Sequence, residues 1–533
     1  MKTNYSVGKQ DLKKNLILTV VILLLITSVF QVVAISSFDL ISSFSITIAP
    51  YWLIGLSIIV LLMFLFFTDR TKLIYWMNPP KNFKWALYFV LIFVIYSVIS
   101  AFLFPVIFEG IEVMNLRLGM DAQYMNPSLL SWSFSNLGQV IYLSVNFCVF
   151  IFLIYAVSSV RELSLFFKVY LIIGVITIGF GIFQHISVYY YPNQFYEFLY
   201  AIVHNNHVYS SLPSDTLRTN SFFGEASWFS GFAVTFSIMT LALFLYSGKK
   251  RVLILFIMGF YSVLIALSTT GIVTLGMSVL FLSIFVIIQE IRLRNKERHV
   301  FGRLIFSLLM IACVFVFFQQ EQNLMNSLQD VFRRKNQALP ETSEMIGLPK
   351  TVSRDTYTLS MSIEGVSPTP IPQSENAANQ EFRPTETPAE VDDPKNLMDQ
   401  LRLYTIDKFS SSSFRVRLWA DQFSVFSVFP STYFLGAGWG SNRPSSFVTF
   451  LLSNVGIIGF LSFFGFVFFL TKIFLKDFSN LDPITISISA GFYTYLLALI
   501  IALPDLNWPP TFWLLAGLMV TGLMNDHQTI GNS

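Results

Sequence analysis

Charged residues are scarce in this sequence. They make up 12% of its 533 residues, whereas 54% are hydrophobic, and a soluble domain usually carries about 25% charged residues. A surface with so little charge cannot be hydrated over its whole area, so lipid is the expected solvent. The sequence also lacks a basic stripe of the kind that binds nucleic acid, which excludes that class of partner.

Cysteine and metal-ligand patterns are also lacking. The two cysteines, Cys148 and Cys313, fall in apolar stretches, form no CxxC pair and have no metal spacing, so we interpret them as packing residues. His204 and His207 are three residues apart, but no third ligand is in view. No nucleophilic arrangement of serine or cysteine is visible. The sequence therefore predicts neither a metal nor a cofactor.

What is abundant is apolar sequence in runs of about 20 residues, the length that crosses a hydrocarbon core. Backbone groups in lipid must be satisfied within their own segment, so each run predicts a helix. The predicted fold is an all-α, polytopic membrane bundle of about twelve transmembrane helices. The predicted spans are 15–35, 51–68, 84–107, 137–157, 165–190, 225–247, 251–268, 271–289, 302–319, 446–471, 484–503 and 508–524. The first run is long for a signal peptide and lacks a convincing cleavage site, which favours a retained helix.

Lysine and arginine alternate from loop to loop. One set of loops and the N-terminus are rich in them, whereas the short loops of the other set hold only Arg117 and Arg218. The positive-inside rule places the rich set, and with it both termini, in the cytoplasm. The rich set contains Lys2, Lys9, Lys13, Lys14, Arg70, Lys72, Lys81, Lys84, Arg161, Lys168, Lys249, Lys250, Arg251, Arg292, Arg294, Lys296, Arg298, Arg303, Lys472 and Lys476.

One long polar loop interrupts this alternation and is predicted to lie outside. It divides the chain into an N-terminal transmembrane bundle (1–319, about nine helices), the large loop (320–445) and a C-terminal group of about three helices (446–533). Within the loop, residues 339–396 are rich in Pro, Thr, Ser, Glu and Asn and have almost no aromatic residues, so disorder is expected there.

The last part of the loop, 397–445, has a different pattern. Val416, Trp419, Phe423 and Phe426 recur at helical spacing. They predict an amphipathic helix that ends at Pro430.

The first candidate site is segment 217–228, which opens the sixth span. It contains Arg218, and Glu225 where the chain enters the membrane. A carboxylate at that depth is costly unless it is paired or wetted, which favours a functional role. An interfacial arginine with a snorkelling glutamate is the simpler alternative.

The second candidate is the start of the predicted amphipathic helix, where Arg415 and Arg417 precede Trp419. Cations are unfavourable at the positive end of a helix dipole, and an anion such as phosphate would resolve that conflict. Arginine also presents a planar fork of donors that suits phosphate. A helix lying on anionic lipid headgroups fits the same residues equally well.

The third candidate is the glycine-rich segment 436–440, followed by Arg443. Alternating glycines permit tight turns and close backbone approach, which would bring Gly438 and Trp439 near a substrate. Alone, this pattern is weak, and a turn that returns the chain to the tenth span is the simpler interpretation.

In their order along the chain, these features resemble the O-antigen polymerase and ligase superfamily of bacterial membrane glycosyltransferases. The shared features are about twelve helices with a large outer loop near the C-terminal third, Arg218 before the segment 222–226, Arg415 and Trp419 followed by Pro430 and 436–440, and a turn at 268–271. The turn lacks the arginine often seen in relatives, and the insert 339–396 is unusual. The loop histidine that ligases use has no match, which favours a polymerase.

The resemblance implies a metal-independent enzyme of the bacterial cytoplasmic membrane that joins glycan units carried on undecaprenyl diphosphate at the outer face. Donor and acceptor would both be carrier-linked glycans, and a flippase and a chain-length regulator would be further partners. Arg218 and Arg415 would stabilise the leaving diphosphate, supported by Arg417 and Arg443. Glu225 would act as the base or orient Arg218. Trp419 and Trp439 would stack on sugars, although membrane anchoring explains them as well.

Three other functions fit parts of the pattern. A ligase or oligosaccharyltransferase would transfer the finished glycan to a lipid, cell-wall or protein acceptor. A transporter or flippase should carry charged residues deep within several spans, and this sequence has almost none there. A non-catalytic assembly factor would tolerate substitution of the arginines.

Overall fold

Helices occupy the apolar runs, and turns form where glycine, proline and polar residues separate them. The structure is a computed structural model. It describes residues 2–29, 36–41, 44–48, 50–68, 80–113, 128–157, 159–190, 219–223, 225–292, 298–338, 430–441, 447–501, 506 and 510–531. The helices are α1 (Lys2–Val29), α2 (Pro50–Thr68), α3 (Lys81–Ile107), α4 (Phe134–Ala156), α5 (Val160–Tyr190), α6 (Ala226–Ser247), α7 (Lys250–Ile265), α8 (Thr269–Arg292), α9 (Arg298–Ala338), α10 (Pro430–Leu435), α11 (Phe447–Asp477), α12 (Pro483–Ile501) and α13 (Thr511–Gly531).

The predicted all-α membrane fold is confirmed. Each predicted span overlaps one of the long helices, and eight helices in the described part of the chain are long and apolar enough to cross a membrane. Strand structure among the described residues amounts to two short antiparallel hairpins. In the first, β1 (Ser36–Ile41) pairs with β2 (Phe44–Ile48), and in the second, β3 (Glu112–Val113) pairs with β4 (Ser128–Leu129).

Helix α6 forms the centre of the bundle. It packs against α7, α8 and α12. Of its most apolar stretch of 18 residues, 94% are buried, compared with 33% for the corresponding stretch of α8. A helix that is apolar all round and surrounded by other helices has no face left for lipid, whereas α8 keeps one. Elsewhere, α3 packs against α11, and α4 packs against α2 and α13. Large apolar side chains such as Val60, Ile291 and Phe468 are exposed and form lipid-facing surface.

The two ends of the bundle differ in charge. Tyr246 at the end of α6 packs against Phe478, just after α11, with ring centroids 5.7 Å apart, so the ends of these helices coincide. We call this the lysine end, because Lys249 and Lys476 lie there. Arg303 lies at the same end and donates a hydrogen bond to the carbonyl oxygen of Leu245 at 2.6 Å. A cation is favourable at that position because it faces the negative end of the α6 dipole.

We call the opposite end the glycine-loop end. There α3 and α7 end, and α4, α6, α8 and α11 begin. A tight turn joins α7 and α8 here: α7 ends at Ile265 and α8 begins at Thr269, with Leu267 in a left-handed conformation between them (φ 46°). The turn therefore lies just before the predicted position 268–271, of which residues 269–271 are helical.

Two helix boundaries add to the sequence predictions. The predicted ninth span ends at 319, and α9 continues as helix past that point to Ala338, into the predicted long loop. Pro430, predicted to end the preceding amphipathic helix, is the first residue of α10. Proline is tolerated in the first turn because its missing N–H would have no helical partner there. The expected helix through Val416 and Phe426 and the expected disorder at 339–396 lie outside the described residues.

The chain divides into two compact units. One contains Met1–Glu321 and Arg415–Ser533, and the other contains Gln322–Phe414. In the second unit the structure describes residues 322–338, which are helical. Every contact discussed below lies in the first unit.

Candidate functional site

A tightly packed glycine loop follows α10 at the glycine-loop end. Gly436, Gly438 and Gly440 all have positive φ, at 79°, 106° and 81°. Residues other than glycine rarely adopt such backbone angles. A Cβ atom on Gly438 would lie 2.7 Å from Cδ of Pro105 and 2.8 Å from the carbonyl oxygen of Ser100. The alternating glycines therefore let this loop dock directly on α3.

The loop also completes a break in α11. Gly456 has φ 59° and ψ −167°, which interrupts the helix after Val455. In a continuous helix the carbonyl groups of Ser453 and Asn454 would accept from residues four positions later. Here they accept instead from the backbone N–H groups of Ala437 and Gly438, at 2.8 and 2.9 Å. Backbone groups at membrane depth must be satisfied inside the protein, and the loop supplies the missing donors.

Trp439 anchors the loop in the core. Its side chain is fully buried and packs edge-on against Phe93 and Phe450, with ring centroids 5.7 and 4.9 Å away. Its backbone N–H donates to the hydroxyl of Ser100 at 3.1 Å. The expected stacking of Trp439 on a sugar and the expected substrate contact of Gly438 do not fit this arrangement, because protein covers both residues. Both hold the loop in place.

A second anchored segment, Thr219 to Phe223, lies at the same end, beside α5 and α7. The side chain of Gln184 on α5 is its main partner. Nε2 of Gln184 donates to Oδ1 of Asn220 at 2.7 Å, and Oε1 accepts from the backbone N–H of Ser221 at 2.7 Å. All three residues are buried. In this low-dielectric setting a fully paired amide fixes the segment firmly.

Further contacts hold this segment from both sides. The N–H of Thr219 donates to the carbonyl oxygen of Ile265 at 3.4 Å, and the hydroxyl of Ser221 donates to the carbonyl oxygen of Thr177 at 2.7 Å. Ser221 adopts a left-handed conformation with φ 51°, which is unusual outside glycine and costs of order 1–3 kcal/mol. Phe223 is buried against Phe232.

Glu225 follows this segment as the N-cap residue of α6. Its backbone carbonyl accepts from Trp228 and Phe229, each at 3.1 Å, but its side chain makes no capping hydrogen bond to the helix. The carboxylate is exposed and accepts from the hydroxyl of Ser227 at 2.8 Å. A negative charge is favourable at a helix N-terminus. The start of α6 therefore presents the exposed carboxylate of Glu225 at the glycine-loop end.

The predicted cationic residues lie outside the described residues. These are Arg218, Arg415, Arg417 and Arg443, and the same holds for Trp419. In the chain, Arg218 comes immediately before Thr219, and Arg415 and Arg417 come before α10. The closeness of Arg218 and Arg415 stays a prediction. Among described residues, no group of three or more His, Cys, Asp or Glu side chains could hold a metal ion.

Sequence reasoning missed two amide side chains, one within the fifth predicted span and one just before the fourth. Gln184 in α5 and Asn136 in α4 are buried and make the hydrogen bonds that fix the two segments. An amide side chain in an apolar span is a readable signal, since polar groups in a membrane are expensive and need partners. Attention to charged residues alone passed over it.

Comparison with known proteins identifies no relative of this chain. No family model matches the chain, and no curated protein or solved structure matches it.

Proposed function

We propose that this protein is a membrane glycosyltransferase that polymerises glycan repeat units carried on undecaprenyl diphosphate. The reaction takes place at the glycine-loop end, which faces the outside of the bacterial cytoplasmic membrane. The positive-inside rule supports that orientation, because Lys249, Lys250, Arg251 and Lys476 gather at the opposite end.

The anchoring of the segment Thr219 to Phe223 carries the proposal. Gln184 fixes Asn220 and Ser221 through buried hydrogen bonds, and in the sequence these two residues lie between the predicted cation Arg218 and the exposed carboxylate of Glu225. Catalytic groups work best on such rigid supports, since their placement costs nothing at the moment of reaction. Residues 430–441 lie at the same end and follow the segment that contains Arg415 and Arg417.

The proposed reaction transfers the donor glycan to a hydroxyl group of the acceptor. The acceptor hydroxyl oxygen forms a bond to the anomeric carbon of the donor glycan, and the bond from that carbon to the diphosphate oxygen breaks. The hydroxyl proton passes to the carboxylate of Glu225. The leaving undecaprenyl diphosphate takes the electron pair of the broken bond, and the guanidinium groups of Arg218 and Arg415 stabilise its charge.

Complementation of a deletion strain tests the proposal. The variants are Arg218→Ala, Arg415→Ala and Glu225→Gln. Each should insert in the membrane at the normal level yet yield single surface units without long chains. Arg251→Ala is the matched control, because Arg251 is exposed at the lysine end, and it should give normal chains.

The banding of surface polysaccharide separates the competing functions. Normal long chains in all three variants would refute the proposal in favour of an assembly factor. Accumulation of long carrier-linked chains in the deletion strain would indicate a ligase. Absence of any outward lipid-linked unit would indicate a flippase.

A further inference from the structure

An apolar groove lies at the lipid-facing side of the bundle, between α6, α8, α11 and α12. Its volume is about 400 Å³, within the range of about 300–1,000 Å³ that is common for small-molecule sites. Residues that line it include Ile238, Phe281, Phe285, Leu475, Ile486 and Ala490. The groove is distinct from the candidate site at the glycine-loop end.

The groove opens to lipid rather than to water. Phe281 and Leu475 line it, and they are also 52% and 48% exposed on the outer surface of the bundle. Tyr493 and Thr471 are two of the few polar residues that line it. The hydroxyl of Tyr493 donates a hydrogen bond to the hydroxyl of Thr471 at 3.0 Å. An apolar opening in the membrane-spanning part of a protein can be filled only by hydrocarbon, because water is absent at that depth.

The dimensions of the groove suit an acyl chain. On α12 its lining runs from Ile486 to Ile500, which is about 21 Å at the helical rise. One leaflet contributes about half of a hydrocarbon core that is roughly 30 Å thick. The groove therefore accepts a chain that reaches from one interface to beyond the bilayer centre.

Cations lie at the interfacial end of the groove. Leu475 in the last turns of α11 lines it, and Lys472 and Lys476 are both exposed on that helix. Lys472 precedes Leu475 by three residues and is its neighbour on the helix surface. Long lysine side chains extend toward the interface and place their ammonium groups at headgroup level. The nearby carboxylate of Asp477 faces elsewhere, since it lies 3.5 Å from Nδ1 of His527 on α13.

We propose that this groove holds one acyl chain of an anionic phospholipid whose phosphate lies at Lys472 and Lys476. The apolar lining excludes water and takes the tail, and the lysines select the headgroup. The site is independent of the glycan transfer proposed above, because its two lysines lie at the opposite end of the bundle and it shares no residue with that site.

Native mass spectrometry of the full-length, delipidated protein in detergent tests the proposal. The protein is titrated with dioleoyl phosphatidylglycerol and, separately, with dioleoyl phosphatidylcholine, which has the same chains without net negative charge. Each lysine near a membrane surface contributes about 1 kcal/mol toward anionic lipid, so two predict a Kd for phosphatidylglycerol about 30-fold lower. Equal Kd values for the two lipids would overturn the proposal.

Two variants separate the headgroup from the tail. The double variant Lys472→Gln and Lys476→Gln should bring the two Kd values close together. Ala490→Trp fills the groove and should weaken both lipids at least about tenfold, since the tail loses its contacts. An unchanged preference in the first variant, or unchanged affinity in the second, would contradict the proposed site.

Matched controls keep the test specific. Arg161→Gln combined with Lys168→Gln removes two exposed cations from α5, a helix that does not line the groove, and should preserve the preference. Val60→Trp introduces the same large side chain at a lipid-facing position that is 68% exposed and should leave both Kd values unchanged. The double lysine variant changes exposed residues only, so it tests the proposal even if Ala490→Trp fails to fold.

Discussion

The side-chain amide of Asn136 donates a hydrogen bond to the backbone carbonyl of Trp439 at 2.9 Å, across 303 residues of sequence. The same nitrogen donates to the hydroxyl of Ser441 at 2.9 Å, while Oδ1 accepts from the backbone N–H of Ser133 at 3.1 Å. One fully buried side chain thus caps the start of α4 and holds the glycine loop against it.

Asn136→Leu should destabilise the protein strongly. It leaves the buried carbonyl of Trp439 without this donor, which costs about 1–3 kcal/mol. It also removes the acceptor of the Ser133 N–H, and because Ser133 is only half-buried that loss costs about 1 kcal/mol. We expect a loss of about 2–4 kcal/mol, visible as a lower thermal midpoint in detergent. Asn82→Ala, at an exposed position of the lysine end, should change the midpoint little. Equal shifts in both variants would contradict this role of Asn136.

Gly456→Ala should prevent normal folding. Its φ and ψ are accessible essentially to glycine alone, and an added Cβ would collide with the backbone carbonyl of Phe434. The expected cost is at least about 3 kcal/mol, measured as loss of monodisperse protein in size-exclusion chromatography. Gly276→Ala is the matched control, because it lies in α8 with nothing within 4 Å of the added atom. It should be neutral or stabilise by up to about 1 kcal/mol. A folded Gly456→Ala protein with an unchanged midpoint would be inconsistent with the break in α11.

Gln184→Leu should impair the proposed glycan transfer more than it impairs folding. The change removes the bonds to Asn220 and Ser221 but leaves the bond from Ser221 to Thr177. The segment before Glu225 then loses its rigid placement, and misplaced groups can cost about 100-fold in rate. The measurement is long-chain polysaccharide per membrane-inserted protein in the deletion strain. Thr240→Val, another buried polar change in a central helix, should give normal chains. Normal chains in Gln184→Leu would instead assign the amide a purely structural role.

Stability should depend on pH through Asp526, which lies beyond the predicted last span. Burial raises the pKa of this carboxyl above its ordinary value of 3.8, partly opposed by a hydrogen bond of 3.1 Å from the backbone N–H of Asp482. With a raised pKa in the folded state, the folded chain binds the proton more tightly than the unfolded chain. The free energy of unfolding therefore falls as pH rises from 3.8 through the raised pKa, and levels off above it.

Asp526→Asn tests that dependence. The amide carries no charge, yet its oxygen can still accept from Asp482. The variant should have the higher thermal midpoint at neutral pH, and the difference from the wild-type protein should shrink as pH falls toward 4. A difference that stays constant across this range would show that ionisation of Asp526 is not responsible.

The helices could be predicted because their signal is local. Apolar runs of membrane length specify α3, α6 or α12 without reference to the rest of the chain. Helix ends were harder to place. The polar continuation of α9 to Ala338 has no apolar periodicity to reveal it, and proline in the sequence marks the start of a helix as readily as its end.

The partners within the site could not be predicted, because they are distant in sequence. Trp439 between glycines resembled a ligand contact, and only the tertiary structure places Phe93 and Phe450 around its ring. Gln184 and Ser221 are 37 residues apart, and no local pattern pairs them. Sequence did indicate that Glu225 lies at a helix entrance, since a carboxylate before an apolar run is a local feature.

The break at Gly456 has a consequence for how the protein is made. The donors that complete it, Ala437 and Gly438, are synthesised shortly before it, but the position of Gly438 depends on Pro105 and Ser100, which are synthesised far earlier. Helix α3 therefore enters the bilayer before the glycine loop has been synthesised, and its surface at Ser100 and Pro105 waits for that loop. The contact between α3 and the glycine loop forms late in membrane insertion.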